Sequence, residues 1–155
     1  MHDIVHELTI DASLDEVYAA VSTGPGLARW WSEDVSLEGG AIGAAPTEPS
    51  EGDVLSVGFD DRAVVIRLRI DTLNGPEDEG PALAHLTCIS GPEEWPDTQI
   101  AFRIEPVAGQ AQPDGPTSTT VRFWHGGWEY EDGALPRCSF QWAMFLDALR
   151  RSLES

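Results

Sequence analysis

The last stretch of the chain, Leu135 to Glu154, reads LPRCSFQWAMFLDALRRSLE and constrains the fold more than any other segment. Cys138, Trp142, Phe145, Leu146, Leu149 and Leu153 recur at three-and-four spacing, which puts them on one stripe of an α-helix, while Asp147, Arg150 and Arg151 fall off it. No Gly or Pro interrupts the run after Pro136, so the spacing predicts one long amphipathic helix. A stripe carrying Trp142 and Phe145 needs a broad apolar partner. Almost everything upstream reads as short β-strands, so the helix is expected to lie across a sheet.

The first strand is expected at Ile4 to Ile10, where Ile4, His6, Leu8 and Ile10 share one face and Val5, Glu7 and Thr9 the other. Ser13 and Glu16 form a capping box for a short helix that carries Val17, Tyr18 and Val21, and Gly24-Pro25-Gly26 is expected to stop it. A second short helix is expected over Leu27 to Ser32, with Trp30 and Trp31 inside it. From Val35 to Asp53 the composition loosens into a Gly- and Pro-containing loop, with a brief strand at Val35 to Leu37. That loop is either a lid or a tolerated surface insertion. Strands are then expected at Val54 to Phe59, Ala63 to Ile70, Ala82 to Ile89, Gln99 to Val107 and Thr119 to Gly126, with a hairpin tip at Gly109 to Pro116. Arg67, Arg69, Arg103, Arg122, Glu7 and Glu105 fall opposite the apolar sets, which makes one side of the sheet ionic and the other apolar. At 155 residues the chain reads as one domain, 1–155, able to bury roughly two-thirds of its unfolded surface.

Charge narrows the partners. The chain carries 27 acidic residues against nine basic ones, all arginine, for a net charge of -18. Clustered cations are needed to hold phosphates or anionic headgroups, so nucleic-acid binding and membrane association are not expected. No apolar run approaches the ~20 residues that span a bilayer. Cys88 and Cys138 are the only cysteines and no charged-then-apolar leader precedes His2, which together point to a cytoplasmic protein without a disulfide framework.

The ordered set Ile10-Asp11-Ala12, Glu16-Val17-Tyr18, Gly26-Leu27 with Arg29-Trp30-Trp31, then Val121 to His125 with Gly127-Trp128 and the terminal helix resembles the START/SRPBCC superfamily. Within it, the branch named for the activator of the heat-shock protein 90 ATPase is the most similar. The resemblance covers nearly the whole chain. It implies an α+β helix-grip fold, a curved antiparallel β-sheet wrapped around a long C-terminal helix with two short helices after the first strand. It also implies a cavity between sheet and helix. Members include lipid and sterol carriers, plant hormone and metabolite binders, and polyketide aromatases and cyclases. The eukaryotic activator has a further chaperone-docking domain, for which 155 residues leave no room.

By phase, the inward set includes Leu55, Val57, Phe59, Val64, Ile66, Leu68, Phe102, Ile104, Val121, Phe123 and His125, facing Trp142, Phe145, Leu146 and Leu149. Either a curved sheet under a helix leaves a lined cavity, or these large residues meet and fill the space. The candidate ligand-binding residues are Trp30, Trp31, Phe59, Ile66, Trp95, Phe102, Phe123, His125, Trp142, Phe145 and Leu146. One of Trp30 and Trp31 is expected in the core and the other at an entrance, Trp95 at an exposed rim between Pro92 and Pro96, and Trp128 under the start of the final helix. His125 either serves a ligand, as a hydrogen-bond partner or general base, or holds the strand end by donating to a carbonyl or loop carboxylate. Glu93-Glu94 and Glu129 to Glu131 read as hydrated loop acids.

No nucleophile elbow, metal-ligand spacing or phosphate-cradling glycine loop is present, so no cofactor or metal is expected. The expected function is binding of a small apolar or aromatic molecule by a monomer or homodimer. The alternatives are a cyclase, aromatase or hydrolase using His125, and a protein-interaction module or chaperone ATPase activator.

Overall fold

Alternation in the first strand sets the two faces of the whole sheet. The computed structural model describes residues 1–38, 49–107 and 118–154. In it β1 (His2–Ile10) buries Ile4 and Ile10 and exposes Val5, Glu7 and Thr9. Ser13 then caps α1 (Leu14–Ser22): its hydroxyl accepts from the Glu16 N–H at 3.2 Å and donates to the Glu16 carboxylate at 3.0 Å.

The next element corrects the sequence reading. Gly24-Pro25-Gly26 does not end in a loop but opens α2 (Gly24–Ala28), with Thr23 as its cap, and Trp30 and Trp31 lie in the turn beyond it. Proline in the first helical turn has no hydrogen bond to lose there, so the same residue that ends one helix begins another. Gly26 is required by closeness: a β-carbon at that position would sit 2.1 Å from the Ala19 carbonyl oxygen.

Six more strands follow, β2 (Asp34–Glu38), β3 (Val54–Phe59), β4 (Val64–Asn74), β5 (Ala82–Ser90), β6 (Gln99–Pro106) and β7 (Thr119–Trp128). They form one antiparallel sheet in the order β1-β7-β6-β5-β4-β3-β2. Register shifts within the β4–β5 pairing, between Arg67 and Leu68 and between Ile70 and Thr72, bend the long β4 strand. The possible lid between Val35 and Asp53 and the hairpin tip at Gly109 to Pro116 fall largely or wholly outside the described residues.

α3 (Leu135–Glu154) has the expected bounds. It buries Cys138, Trp142, Leu146 and Leu149 against the inner face of the sheet, where Phe102, Ile104, Val121 and Phe123 are also buried. The outer face carries ion pairs: Arg122 with its cross-strand partner Glu7, Arg67 with Glu38 two strands away, and Arg69 with Asp71 and Arg103 with Glu105 along single strands. The α+β helix-grip architecture expected from the sequence is therefore the one the chain adopts. Among the described residues no helix is long and apolar enough to cross a membrane.

Candidate functional site

Trp142 divides the space between sheet and helix into two unlike halves. On one side its ring packs on Phe123 at 4.4 Å between centroids, and Phe123 packs on Phe102 at 5.3 Å. That half is solid. On the other side Trp142 meets Trp31 at 5.1 Å and Phe145 at 6.2 Å, and Phe59 lies 6.1 Å from Trp31 and 6.2 Å from Phe145. These rings frame a cavity of about 360 Å³, completed by Val64, Ile66, Trp95, Cys138 and, toward solvent, Asp60, Arg137 and Gln141.

The backbone explains why the cavity lies at this end. The β3–β4 turn passes through Asp60, Asp61 and Arg62 with φ of 53°, 53° and 67°, a tight reversal that leaves Phe59 and Val64 directly opposed at its base. Across from them the first turns of α3 present Arg137, Cys138 and Gln141. Neither Phe59 nor Phe145 is fully buried, so the sheet end and the helix start diverge without filling the gap.

Trp95 corrects a second expectation. The indole is not exposed between its prolines but is 7% accessible, packed on His125 at 4.7 Å and on Trp128 at 5.9 Å. Its loop turns inward because Glu94 and Asp97 both adopt left-handed backbone, φ 75° and 72°, and Asp97 N–H and Thr98 N–H bond back to the carbonyls of Cys88 and Trp95. Glu94 is likewise not merely hydrated. Its Oε2 accepts from the Ala134 N–H at 2.9 Å, which satisfies a donor just ahead of the first turn of α3, while Oε1 is buried with no hydrogen-bond partner among the described residues. The carboxylate reaches that point because residue 133 is glycine; a β-carbon there would stand 2.3 Å from Oε1.

His125 has no exposed surface and no place on the cavity wall. The Trp142 indole N–H, which can only donate, points at His125 Nδ1 at 3.0 Å. Nδ1 is therefore the acceptor, and Nε2 carries the proton and donates to Thr98 Oγ1 at 2.8 Å. Thr98 in turn donates to the Trp95 carbonyl at 2.6 Å. Burial lowers the His125 pKa from 6.5 to about 3, so the ring stays neutral. A histidine with both nitrogens engaged and no route to the cavity positions a helix on a sheet; it offers no acid or base to a ligand. The acceptor of its N–H is a threonine hydroxyl rather than the carbonyl or carboxylate expected from the sequence.

The other singled-out residues sort cleanly. Trp31, Phe59, Ile66, Trp95, Trp142 and Phe145 are brought together around the cavity. Trp30, Phe102, Phe123, His125 and Leu146 are not on its wall. Trp30 is core, its indole N–H donating to the Ala20 carbonyl at 2.8 Å and its ring edge-on to Phe102. Leu146 borders a smaller hollow of about 220 Å³ between β1 and α3. Trp128 is fully buried at the end of β7 and donates to the His125 carbonyl at 3.1 Å.

Sequence reasoning missed Arg137, Gln141 and Asp60 at the cavity mouth, and Thr98 behind it. Thr98 had no signal, being one polar residue beside a strand. Arg137 had one: a cation in the first turn of a helix opposes the helix dipole. Burial raises the Cys138 thiol above its ordinary pKa and pushes Cys88 up to about 12, so neither is a nucleophile at neutral pH.

Comparison with known proteins supports the architecture. No protein-family model matches the sequence and no curated protein matches it. Among solved structures, the Aha1 dimer from Colwellia psychrerythraea is 26% identical with a TM-score of 0.73, the match covering 99% of this chain and 97% of that one. A protein from Nitrosospira multiformis gives the same TM-score and coverage at 13% identity. DynU16, from the dynemicin biosynthetic locus, is 19% identical with a TM-score of 0.62; the match spans 99% of this chain and 47% of the longer one.

Proposed function

From the helix-grip fold of the START/SRPBCC superfamily, which this chain has, we propose that it binds a small apolar or aromatic molecule between the sheet and α3. The observation that carries this reading is the cavity of about 360 Å³ framed by five aromatic side chains, Trp31, Phe59, Trp95, Trp142 and Phe145. Its volume lies near the lower end of the range for small-molecule sites, roughly 300–1,000 Å³. Aromatic walls accept a flat apolar body, and each Å² removed from water contributes about 25 cal/mol. The reading is binding rather than turnover because His125, behind the cavity wall, is neutral and has both ring nitrogens engaged.

The test uses the uncharged dye N-phenyl-1-naphthylamine, which brightens on leaving water. The protein should enhance its emission, and Val64→Phe, which fills the cavity from β4, should abolish the enhancement while leaving the circular dichroism spectrum unchanged. Equal enhancement by the filled variant would refute the site. Native mass spectrometry of freshly purified protein would then identify any molecule retained.

A second reading, association of two copies, is favoured by Phe140 and Met144. They lie one turn apart on α3, at 68% and 58% exposure, outside the stripe that packs on the sheet. Light scattering across a concentration series should show a dimer that Phe140→Ser converts to monomer; a constant monomer mass would exclude it.

A further inference from the structure

Arg137 stands out from every other arginine of the chain. Each of the others holds a carboxylate or, for Arg29, the Ser152 carbonyl. Arg137 has no hydrogen-bond or ion-pair partner among the described residues, in a protein with 27 acidic side chains against nine basic ones. It also occupies the first turn of α3, which holds no acidic residue and where the helix field disfavours a cation. Neither a local pair nor the helix explains a guanidinium there. What the position does provide is the mouth of the aromatic cavity, beside Gln141.

Resting on the cavity as a binding site, we infer that its ligand is an aromatic or alkyl molecule ending in a carboxylate, with the apolar body among Trp31, Phe59, Trp142 and Phe145 and the carboxylate held by Arg137. A planar guanidinium presents paired N–H donors that match the two oxygens of a carboxylate. Gln141, one turn further along α3, supplies an amide N–H on the same side of the mouth. Among the described residues the only other charged group on the wall is Asp60, in the β3–β4 turn. Asp60 makes the opposite preference, for an amine, the direct competitor. Acidic side chains are common over this surface, so one at the mouth needs no ligand to account for it, whereas an unpaired cation does.

Three probes of one shape decide the matter: 4-phenylbutyrate, 4-phenylbutanol and 4-phenylbutylamine, titrated while following the tryptophan indole N–H signals by NMR. The butyrate should bind roughly three- to tenfold more tightly than the alcohol at low salt, the range expected of a charge-assisted pair at a solvent-facing mouth. That preference should vanish in Arg137→Gln, persist in part in Arg137→Lys and shrink as salt is raised. Equal binding of butyrate and alcohol, with Trp31 and Trp142 shifting in both titrations, would overturn the carboxylate assignment and leave the cavity reading intact. Tighter binding of the amine, lost in Asp60→Asn, would overturn it in favour of a cation. No indole shift with any of the three would remove the binding site and this inference together.

Discussion

The two halves of the space under α3 are built from the same kinds of residue and behave differently. On one side of Trp142, Phe123, Phe102 and Trp30 meet ring against ring and His125 closes a hydrogen-bonded chain to Thr98 and Trp95. On the other, Trp31, Phe59 and Phe145 stand around a gap. Aromatic content alone therefore does not decide whether a helix-grip interior is filled. The decision falls to polar satisfaction and to where the backbone diverges. The filled half is anchored by a donor and an acceptor that must meet, and the open half lies where a tight turn and the first turns of a helix separate.

The sharpest test compares truncations across that divide. Phe123→Ala should destabilise the protein by about 3–5 kcal/mol in urea unfolding, because a fully buried ring leaves a cavity among rigid neighbours. Trp142→Phe should cost about 1–3 kcal/mol, chiefly by leaving His125 Nδ1 buried without its donor. A smaller effect, about 2 kcal/mol, should appear between pH 6.5 and 5. The folded-state pKa of His125, about 3, lies below the ordinary 6.5, so the unfolded chain takes up the proton first as pH falls. Stability from this residue is complete above pH 6.5 and is lost on acidification toward pH 3; a His125→Gln variant, less stable at neutral pH, should lack that component of the slope. The lowered pKa values of Asp71 and Asp147 act in the same direction but below the ordinary carboxylate range, outside this interval. Smallest of all, Phe145→Ala in the open half should cost about 1 kcal/mol, since its ring is only partly buried and little new void is made. A cost equal to that of Phe123→Ala would abolish the distinction between the halves.

How far the sequence foretold this can be argued residue by residue. The bounds of α3, six of the seven strands less a few terminal residues, and the inward phase of Phe102, Phe123 and His125 follow from periods of 3.6 and 2, whereas β2 showed only as a brief strand within a loop. The α2 boundary did not, because Pro and Gly mark a break without saying on which side of it the next helix begins. Trp95 was misplaced because two left-handed residues turn its loop inward; Asp at 97 is a weak signal of that conformation and Glu at 94 is none. Phase identified which side chains face the interior but not which of them touch. The partition at Trp142, and with it the removal of His125 from the site, depends on distances no pattern contains.

The β5–β6 connection has a consequence for how this chain can vary. Two reversals of backbone hand within four residues, at Glu94 and Asp97, leave no slack between Cys88 and Thr98. One additional residue there is expected to swing an indole out to water, detach the hydroxyl that accepts from the imidazole N–H and free the carboxylate seated ahead of the long helix, all at once. A length change between Gly91 and Thr98 is therefore expected to be costly, so this part of the connection acts as a fixed dimension of the interior although it lies outside every strand and helix.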